Sequence, residues 1–136
     1  MEIRTLTADA EREDAVPIMQ QLWEDRDREE ILAWTREDDY HLFGAFDDGT
    51  LVGVAGVRID DFLHHQRHAW LYDFVVDEPR RGEGVGTALL EHVESWAVKQ
   101  DCESVALASP LDNRAVHEYY ESQDFEKWGY VIETDL

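Results

Sequence analysis

The sequence contains a single cysteine, few basic residues and no long apolar run, and each shortage excludes a class of protein. Cys102 has no partner for an intramolecular disulfide, which fits a reducing compartment. No apolar stretch approaches the roughly 20 residues of a membrane span. The N-terminal stretch lacks the basic and apolar regions of a signal peptide. These features predict a cytoplasmic protein with no membrane partner.

Basic residues number 12 against 32 acidic ones, which gives the chain of 136 residues a formal charge of −20. Nucleic acids require a basic patch that so few bases can hardly supply, so we expect no nucleic-acid partner. Only Lys99 and Lys127 are lysines. Because molar salt screens the repulsion within such an acidic surface, the composition is typical of a halophilic organism. An acidic mesophilic protein is the alternative.

The composition is that of one folded domain. Leu, Ile, Val and Phe supply about a quarter of the residues, above the roughly 20% below which chains tend to stay unfolded. The three prolines are scattered, and the chain has no repeat, linker or low-complexity tract. We therefore expect a single domain over residues 1–136.

Hydrophobic periodicity and turn signals predict the element order β α α β β β α β α β. The strongest signal is Asp48-Gly49 between two runs rich in β-branched and aromatic residues, Tyr40–Phe46 and Leu51–Ile59, which predicts a hairpin. A long helix should follow from about Val85, where apolar residues recur at steps of four. The other predicted segments are strands over Glu2–Thr7, Ala69–Val76, Ser104–Ala108 and within Phe125–Glu133, and helices around Val16–Trp23, Ile31–Trp34 and Asn113–Ser122.

A glycine-rich turn, residues 81–86 (Arg-Gly-Glu-Gly-Val-Gly), joins the strand that ends at Val76 to the long helix. Glycines let the backbone approach a ligand, and the first N–H groups of a helix lack internal partners, so the turn suits anion binding. Arg80 and Arg81 lie beside it. The spacing matches neither a P-loop nor a dinucleotide-binding turn. By itself, the turn is also compatible with a plain strand–helix link.

This turn resembles the R/Q-x-x-G-x-G/A signature of the GNAT superfamily of N-acetyltransferases. The segment from Asn113 to Phe125 resembles the same family's N-x-x-A-x-x-x-Y-x-x-x-G-F. Departures from the family's pattern include Pro79, which lies one residue late, and Asp124, which replaces the usual glycine. Because Asp tolerates the left-handed conformation, we expect that helix end to persist.

The resemblance implies an α+β fold with α/β/α layers, the GNAT-like acyl-CoA N-acyltransferase fold. Its mixed, mostly antiparallel sheet has a parallel, splayed pair of central strands, and about four helices pack around it. The resemblance also implies acetyl-coenzyme A as co-substrate, with the pyrophosphate on the loop amides and pantetheine along the strand. The cofactor-binding residues so implied are Phe74, Val75, Val76, Arg81, Gly82, Glu83, Gly84, Val85, Gly86, Thr87 and Asn113.

The implied reaction is transfer of the acetyl group to a primary amine by direct attack in a ternary complex. A non-catalytic acyl-CoA-binding sensor or partner subunit is the alternative. Tyr120 occupies the family's tyrosine position and is the candidate general acid, because a phenol of ordinary pKa is protonated at neutral pH. A half-buried core residue for Tyr120 and a helix cap for Asn113 are the alternative roles.

Asp73 is the candidate base, because it lies on the strand next to the implied cofactor site. Strand alternation places Asp73 on the face opposite Tyr72 and Phe74. A structural carboxylate is an equally good interpretation of this residue.

Three histidines cluster before that strand, and one of them could take a proton near neutral pH or lie in a solvated loop: His64, His65 and His68. No further ligand set accompanies them, so we expect no metal site. Cys102 is expected to be a small buried residue rather than a nucleophile.

In this family the acceptor is set by segments corresponding to Glu11–Glu37 and Asp60–Arg67. An apolar acceptor pocket could be lined by Trp23, Trp34, Phe62 and Leu63, although core packing is the ordinary role of the two tryptophans. The expected acceptor is a small-molecule amine or a peptide or protein amine, and pairing of the last strand with a second copy would give a homodimer.

Overall fold

A computed structural model describes residues 1–63 and 66–136 and divides them into two compact units, Met1–Ala106 and Leu107–Leu136. The first unit contains a five-stranded sheet in the order β1-β2-β3-β4-β5, antiparallel except for the parallel pair β4–β5. The expectation of one domain over residues 1–136 stays a prediction. The elements of the first unit are β1 Glu2–Thr5, α1 Asp9–Met19, α2 Arg28–Thr35, β2 Tyr40–Asp47, β3 Thr50–Phe62, β4 Gln66–Val76, a 3₁₀ turn Glu78–Arg80, α3 Val85–Lys99 and β5 Ser104–Ala106.

Alternation along the strands directs side chains to helices on both faces of the sheet. Leu42 of β2 lies in the core formed with α1 and α2. Its neighbour Phe43 packs edge-on against Trp96 of α3, with ring centroids 5.2 Å apart. The sheet therefore lies between α1 and α2 on one face and α3 on the other, which confirms the layered fold and the parallel strand pair expected from the sequence.

Strand β4 departs from regular pairing at two places near the glycine loop. Gly56 of β3 pairs with Asp73 and Val57 pairs with Leu71, so Tyr72 is the extra residue of a β-bulge. The parallel pairing with β5 covers His68 to Trp70 and stops there. The half of β4 that leads to the glycine loop is therefore not paired with β5.

The second unit contains α4, Arg114–Ser122, and no strand among residues 107–136. The strand expected within Phe125–Glu133 is therefore wrong. Tyr130, Val131 and Ile132 have strand-like chemistry, but this unit provides no second strand to pair with their backbone. Asp124 ends the helix with φ 68°, which confirms that Asp is accepted in this left-handed position.

None of the helices in the described ranges is long and apolar enough to cross a membrane.

Candidate active site

The glycine loop, residues 81–86, is shaped by two glycines in the left-handed region. Gly82 has φ 81° and Gly84, the N-cap of α3, has φ 87°. A Cβ at either position would meet no atom within 4 Å, so the glycines are required by conformation rather than by space. Among residues 1–63 and 66–136, no backbone carbonyl accepts from the amides of 82–86. These amides are available for an anion at the positive end of the helix dipole.

The two arginines beside the loop differ in charge balance. Arg80 pairs with Glu83 at 3.0 Å and with Asp47, and these carboxylates raise the pKa of its guanidinium, Asp47 most. Arg81 instead donates from Nε to the Val76 carbonyl, 2.9 Å away, and makes no ion pair within the described ranges. Arg81 therefore keeps its positive charge for a ligand, whereas the charge of Arg80 is already neutralised.

The stretch Phe74–Val76 provides the strand edge nearest the glycine loop. Val75 is buried in the core with α1 and α2, while Phe74 and Val76 are half-buried. Since β5 pairs only with the earlier residues of β4, this stretch resembles an edge to which an extended ligand can add.

Asp73 is a buried carboxylate, 1% exposed, that accepts three hydrogen bonds from neutral donors. Trp23 Nε1 donates to Oδ1 at 2.6 Å, and Trp34 Nε1 donates to Oδ2 at 2.7 Å. The Tyr40 hydroxyl donates to Oδ2 at 2.5 Å. Burial and the Asp73 charge hold the pKa of Tyr40 well above its usual value, so Tyr40 stays a donor.

Tyr72 and Asp73 lie against the same indole, so the expectation that Asp73 faces away from Tyr72 is wrong. The Tyr72 ring is 5.5 Å from that of Trp34, centroid to centroid, and Asp73 accepts from the same indole's N–H. Simple alternation would place the two residues on opposite faces. It fails here because Tyr72 is the bulge residue.

The two tryptophans have mixed roles. Trp34 is half-buried, while Trp23 is 38% exposed and lies in the connection between α1 and α2. Both anchor on Asp73, so neither is simply apolar core. Phe62 and Leu63 are exposed at the end of β3.

Sequence reasoning missed Tyr40, Gly56 and Gln21. A Cβ on Gly56 would lie 1.7 Å from the Tyr40 hydroxyl oxygen, so this glycine makes the room through which Tyr40 reaches Asp73. A glycine inside a strand pattern is a recognised signal of close approach, and it could have identified this pair. Gln21 lies just past α1, and nothing in its local sequence marks it.

His68 is fully buried, with Nδ1 3.1 Å from the Gln66 carbonyl oxygen and its ring 5.3 Å from that of Phe62. It is thus not part of a solvated loop. His64 and His65 lie outside the described residues. Within the described ranges, no three His, Cys, Asp or Glu side chains are grouped to hold a metal ion.

Tyr120 and Asn113 belong to the second unit. The Tyr120 ring lies 5.4 Å from those of Tyr119 and Phe125, and burial raises its pKa. Asn113 is the N-cap of α4, with Oδ1 accepting from the Val116 amide at 3.3 Å. Asn113 therefore has the capping role that the sequence offered as an alternative, and its role toward a cofactor stays a prediction.

Cys102 is a free, partly exposed thiol between α3 and β5. Burial raises its pKa, an effect that the nearby Arg67 opposes. A raised pKa leaves little thiolate at neutral pH, which agrees with a residue that is not a nucleophile.

Comparison with known proteins identifies relatives over almost the whole chain. The family described as "Acetyltransferase (GNAT) family" matches residues 8–125. An uncharacterized N-acetyltransferase, YhdJ of Bacillus subtilis (strain 168), is 29% identical over 138 residues, covering 98% of this chain and 94% of its own. The aminoalkylphosphonate N-acetyltransferase of Salmonella typhimurium is 25% identical over 103 residues, covering 74% of this chain and 66% of its own.

A solved structure has the same fold. The structure of AAC(6')-Iy in complex with a bisubstrate analog, CoA-S-monomethyl-acetylneamine, superposes with a TM-score of 0.88 at 22% identity. The superposition covers 99% of this chain and 97% of that one.

Proposed function

Because the chain belongs to the acetyltransferase (GNAT) family, whose acetyl donor is acetyl-CoA, we propose that it acetylates a primary amine by direct attack in a ternary complex. The observation that carries this proposal is the glycine loop, in which Gly82 and Gly84 are left-handed and the amides of residues 82–86 have no backbone acceptor within the described ranges. On a chain of charge −20, these amides and the unpaired charge of Arg81 supply the local positive potential that a pyrophosphate requires.

The co-substrate site extends from the loop along β4. The amides of residues 82–86 would hold the pyrophosphate, with Arg81 beside them and Thr87 in the first turn of α3. The backbone of Phe74–Val76 would pair with pantetheine. Asn113 is a further residue that we propose for binding the co-substrate. Bound acetyl-CoA supplies an acetyl thioester whose carbonyl the amine attacks.

Tyr120 serves as the proton donor to the departing sulfur. Burial raises its pKa, so the phenol is protonated over the whole neutral range. The same shift makes it a weak acid, and its main contribution is a hydrogen bond that strengthens as negative charge develops on sulfur.

The amine must lose a proton as its nitrogen–carbon bond forms, and Asp73 is the residue that we propose for this step. Its carboxylate makes no ion pair within the described part of the chain, and its three donors are neutral. Since Asp73 is only 1% exposed, the proton would reach it through a bridging water. The proton thus leaves on the face of β4 that Trp23 and Trp34 cover.

The acceptor is a primary amine carried by a small molecule or a peptide. Relatives named for aminoalkylphosphonate and for acetylneamine complexes support a small-molecule amine. The acidic surface of this chain favours a cationic acceptor, because opposite charge raises its local concentration.

The proposal is tested by measuring CoA release from acetyl-CoA in high salt with a panel of amines: aminoglycosides, aminoalkylphosphonates, polyamines and peptides. We expect turnover with at least one class. Acetyl-CoA binding without turnover on any amine would instead support a non-catalytic acyl-CoA-binding module. Absence of both binding and turnover would overturn the proposed function.

A further inference from the structure

The connection between α1 and α2, residues 20–27, is attached by Gln21 to the turn that precedes the glycine loop. This connection contains neither strand nor helix, and Leu22 and Trp23 in it are exposed. Gln21 nevertheless reaches the turn between β4 and α3, which is more than 50 residues away in sequence. An exposed connection held in this way has a defined position relative to the glycine loop.

Both the nitrogen and the oxygen of the Gln21 side-chain amide form hydrogen bonds. Its Nε2 donates to Asp77 Oδ1 at 2.7 Å, and its Oε1 accepts from the Glu78 backbone N–H at 3.0 Å. The same Oε1 accepts from Arg81 Nη2 at 3.3 Å. A carboxylate partner for Nε2 and two N–H partners for Oε1 leave only one sensible orientation of the amide.

Arg81 connects Gln21 to strand β4. Its Nε donates to the Val76 carbonyl, so the guanidinium bridges Gln21 and the last residue of the strand. Both acceptors are uncharged, and the orientation of Arg81 is thus fixed without its charge being neutralised. A carboxylate at position 21 would also orient Arg81, but it would cancel the charge.

Trp23, two residues further along, binds Asp73 of β4. The connection is therefore attached at two points, to Asp73 by Trp23 and to the turn before the glycine loop by Gln21. Because only Leu22 separates the two attachments, we expect movement of one to displace the other.

We propose that Gln21 is a positioning residue that orients Arg81 for acetyl-CoA and couples the glycine loop to the α1–α2 connection. The proposal rests on the proposed binding of acetyl-CoA at this loop. Ligand binding at Arg81 should then reduce the motion of residues 20–27. This segment includes Trp23, which donates a hydrogen bond to Asp73.

The test compares Gln21→Ala and Gln21→Glu with a matched control, Gln20→Ala. Gln20 lines a surface cleft together with Gln21 and Arg81, and its side chain makes no hydrogen bond within the described ranges. We expect Gln21→Ala to raise the Kd and KM for acetyl-CoA about tenfold with kcat nearly unchanged, the loss typical of a hydrogen bond to a charged group. Gln21→Glu should lose at least as much, while Gln20→Ala should match the wild type.

A double-mutant cycle with Arg81→Ala separates positioning from general stability. If Gln21 acts through Arg81, the double variant should bind acetyl-CoA no more weakly than Arg81→Ala alone. Additive losses, or falls in both Tm and kcat with an unchanged Kd for acetyl-CoA, would overturn the proposal.

Hydrogen–deuterium exchange tests the coupling to the α1–α2 connection. Exchange should slow in residues 20–27 when the wild type binds acetyl-CoA, but not when Gln21→Ala does. Unchanged exchange in the wild type would overturn the coupling. Failure of the wild type to bind acetyl-CoA would instead overturn the proposed function.

Discussion

Asp73 is a negative charge balanced by hydrogen bonds rather than by a cation. Two indoles and one phenol, from the α1–α2 connection, α2 and β2, donate hydrogen bonds to its oxygens. Such an arrangement satisfies the hydrogen-bonding capacity of the carboxylate without neutralising its charge, so the carboxylate can still attract a nearby proton. It also makes the site sensitive to every residue that positions a donor.

Gly56→Ala should disrupt this arrangement through Tyr40. The new Cβ would lie 1.7 Å from the Tyr40 hydroxyl oxygen, and Tyr40 cannot retreat without leaving Asp73. We expect a loss of about 2 kcal/mol in the free energy of unfolding, as for other overpacked cores, measured by urea denaturation. The control is Gly129→Ala, where a Cβ would meet nothing within 4 Å. Equal stability of the two variants would contradict the close approach.

Tyr120→Phe should lower kcat about 10²-fold, at the weak end of general acid catalysis, because burial raises the Tyr120 pKa. For the same reason the wild-type kcat should show no descending limb from Tyr120 between pH 7 and about pH 10. Tyr119→Phe, the neighbouring phenol, should retain wild-type kcat. Unchanged turnover in Tyr120→Phe would remove this residue from the mechanism.

At the scale of elements, we expect the left-handed conformation of the glycine loop to determine how well it binds acetyl-CoA. Gly84→Ala places a side chain at φ 87°, which costs about 1–2 kcal/mol and should rotate the amides at the start of α3. We expect the KM for acetyl-CoA to rise about tenfold. Gly49→Ala is the matched control, because Gly49 has φ 81° in open space in the β2–β3 hairpin. An equal rise in KM in both variants would show that strain alone is responsible.

Most elements could be predicted because their signals are local. The Asp48-Gly49 hairpin and the four-residue periodicity after Val85 need no knowledge of distant residues. The bulge at Tyr72 could not be predicted, since it arises from the register with β3. The strand expected after Phe125 failed for the same kind of reason: composition can favour an extended segment, but only a partner strand makes it a strand.

The candidate site likewise contains some residues that the sequence identifies and others that only the fold brings together. The glycines of the loop were identified from spacing, because their conformation depends on the local chain. The side-chain partners of Asp73 and of Arg81 come from segments 33 to 60 residues away in sequence. No periodicity brings Gln21 or Tyr40 to those positions, so only the folded arrangement identifies them.

At the scale of the whole molecule, the charge of −20 should make stability depend on salt. Its ion pairs lie largely at the surface, where each contributes little, so repulsion among the excess acidic residues dominates. We expect Tm to rise by roughly 5–10 °C between 0.1 and 2 M NaCl, because the salt shortens the Debye length from about 10 Å to below about 3 Å and so screens this repulsion. Calorimetry would measure it, with sucrose at equal osmolality as the control. A Tm that falls or stays constant in NaCl would contradict halophilic adaptation.

The single thiol between α3 and β5 can be used to measure unfolding by chemical labelling. Since Cys102 is the only cysteine, a maleimide reagent can modify each chain once. Its raised pKa makes the folded thiol slow to react, whereas an unfolded chain would expose an ordinary thiol. Pulsed alkylation followed by mass spectrometry should therefore label unfolded molecules faster than folded ones, without an added chromophore or an engineered label.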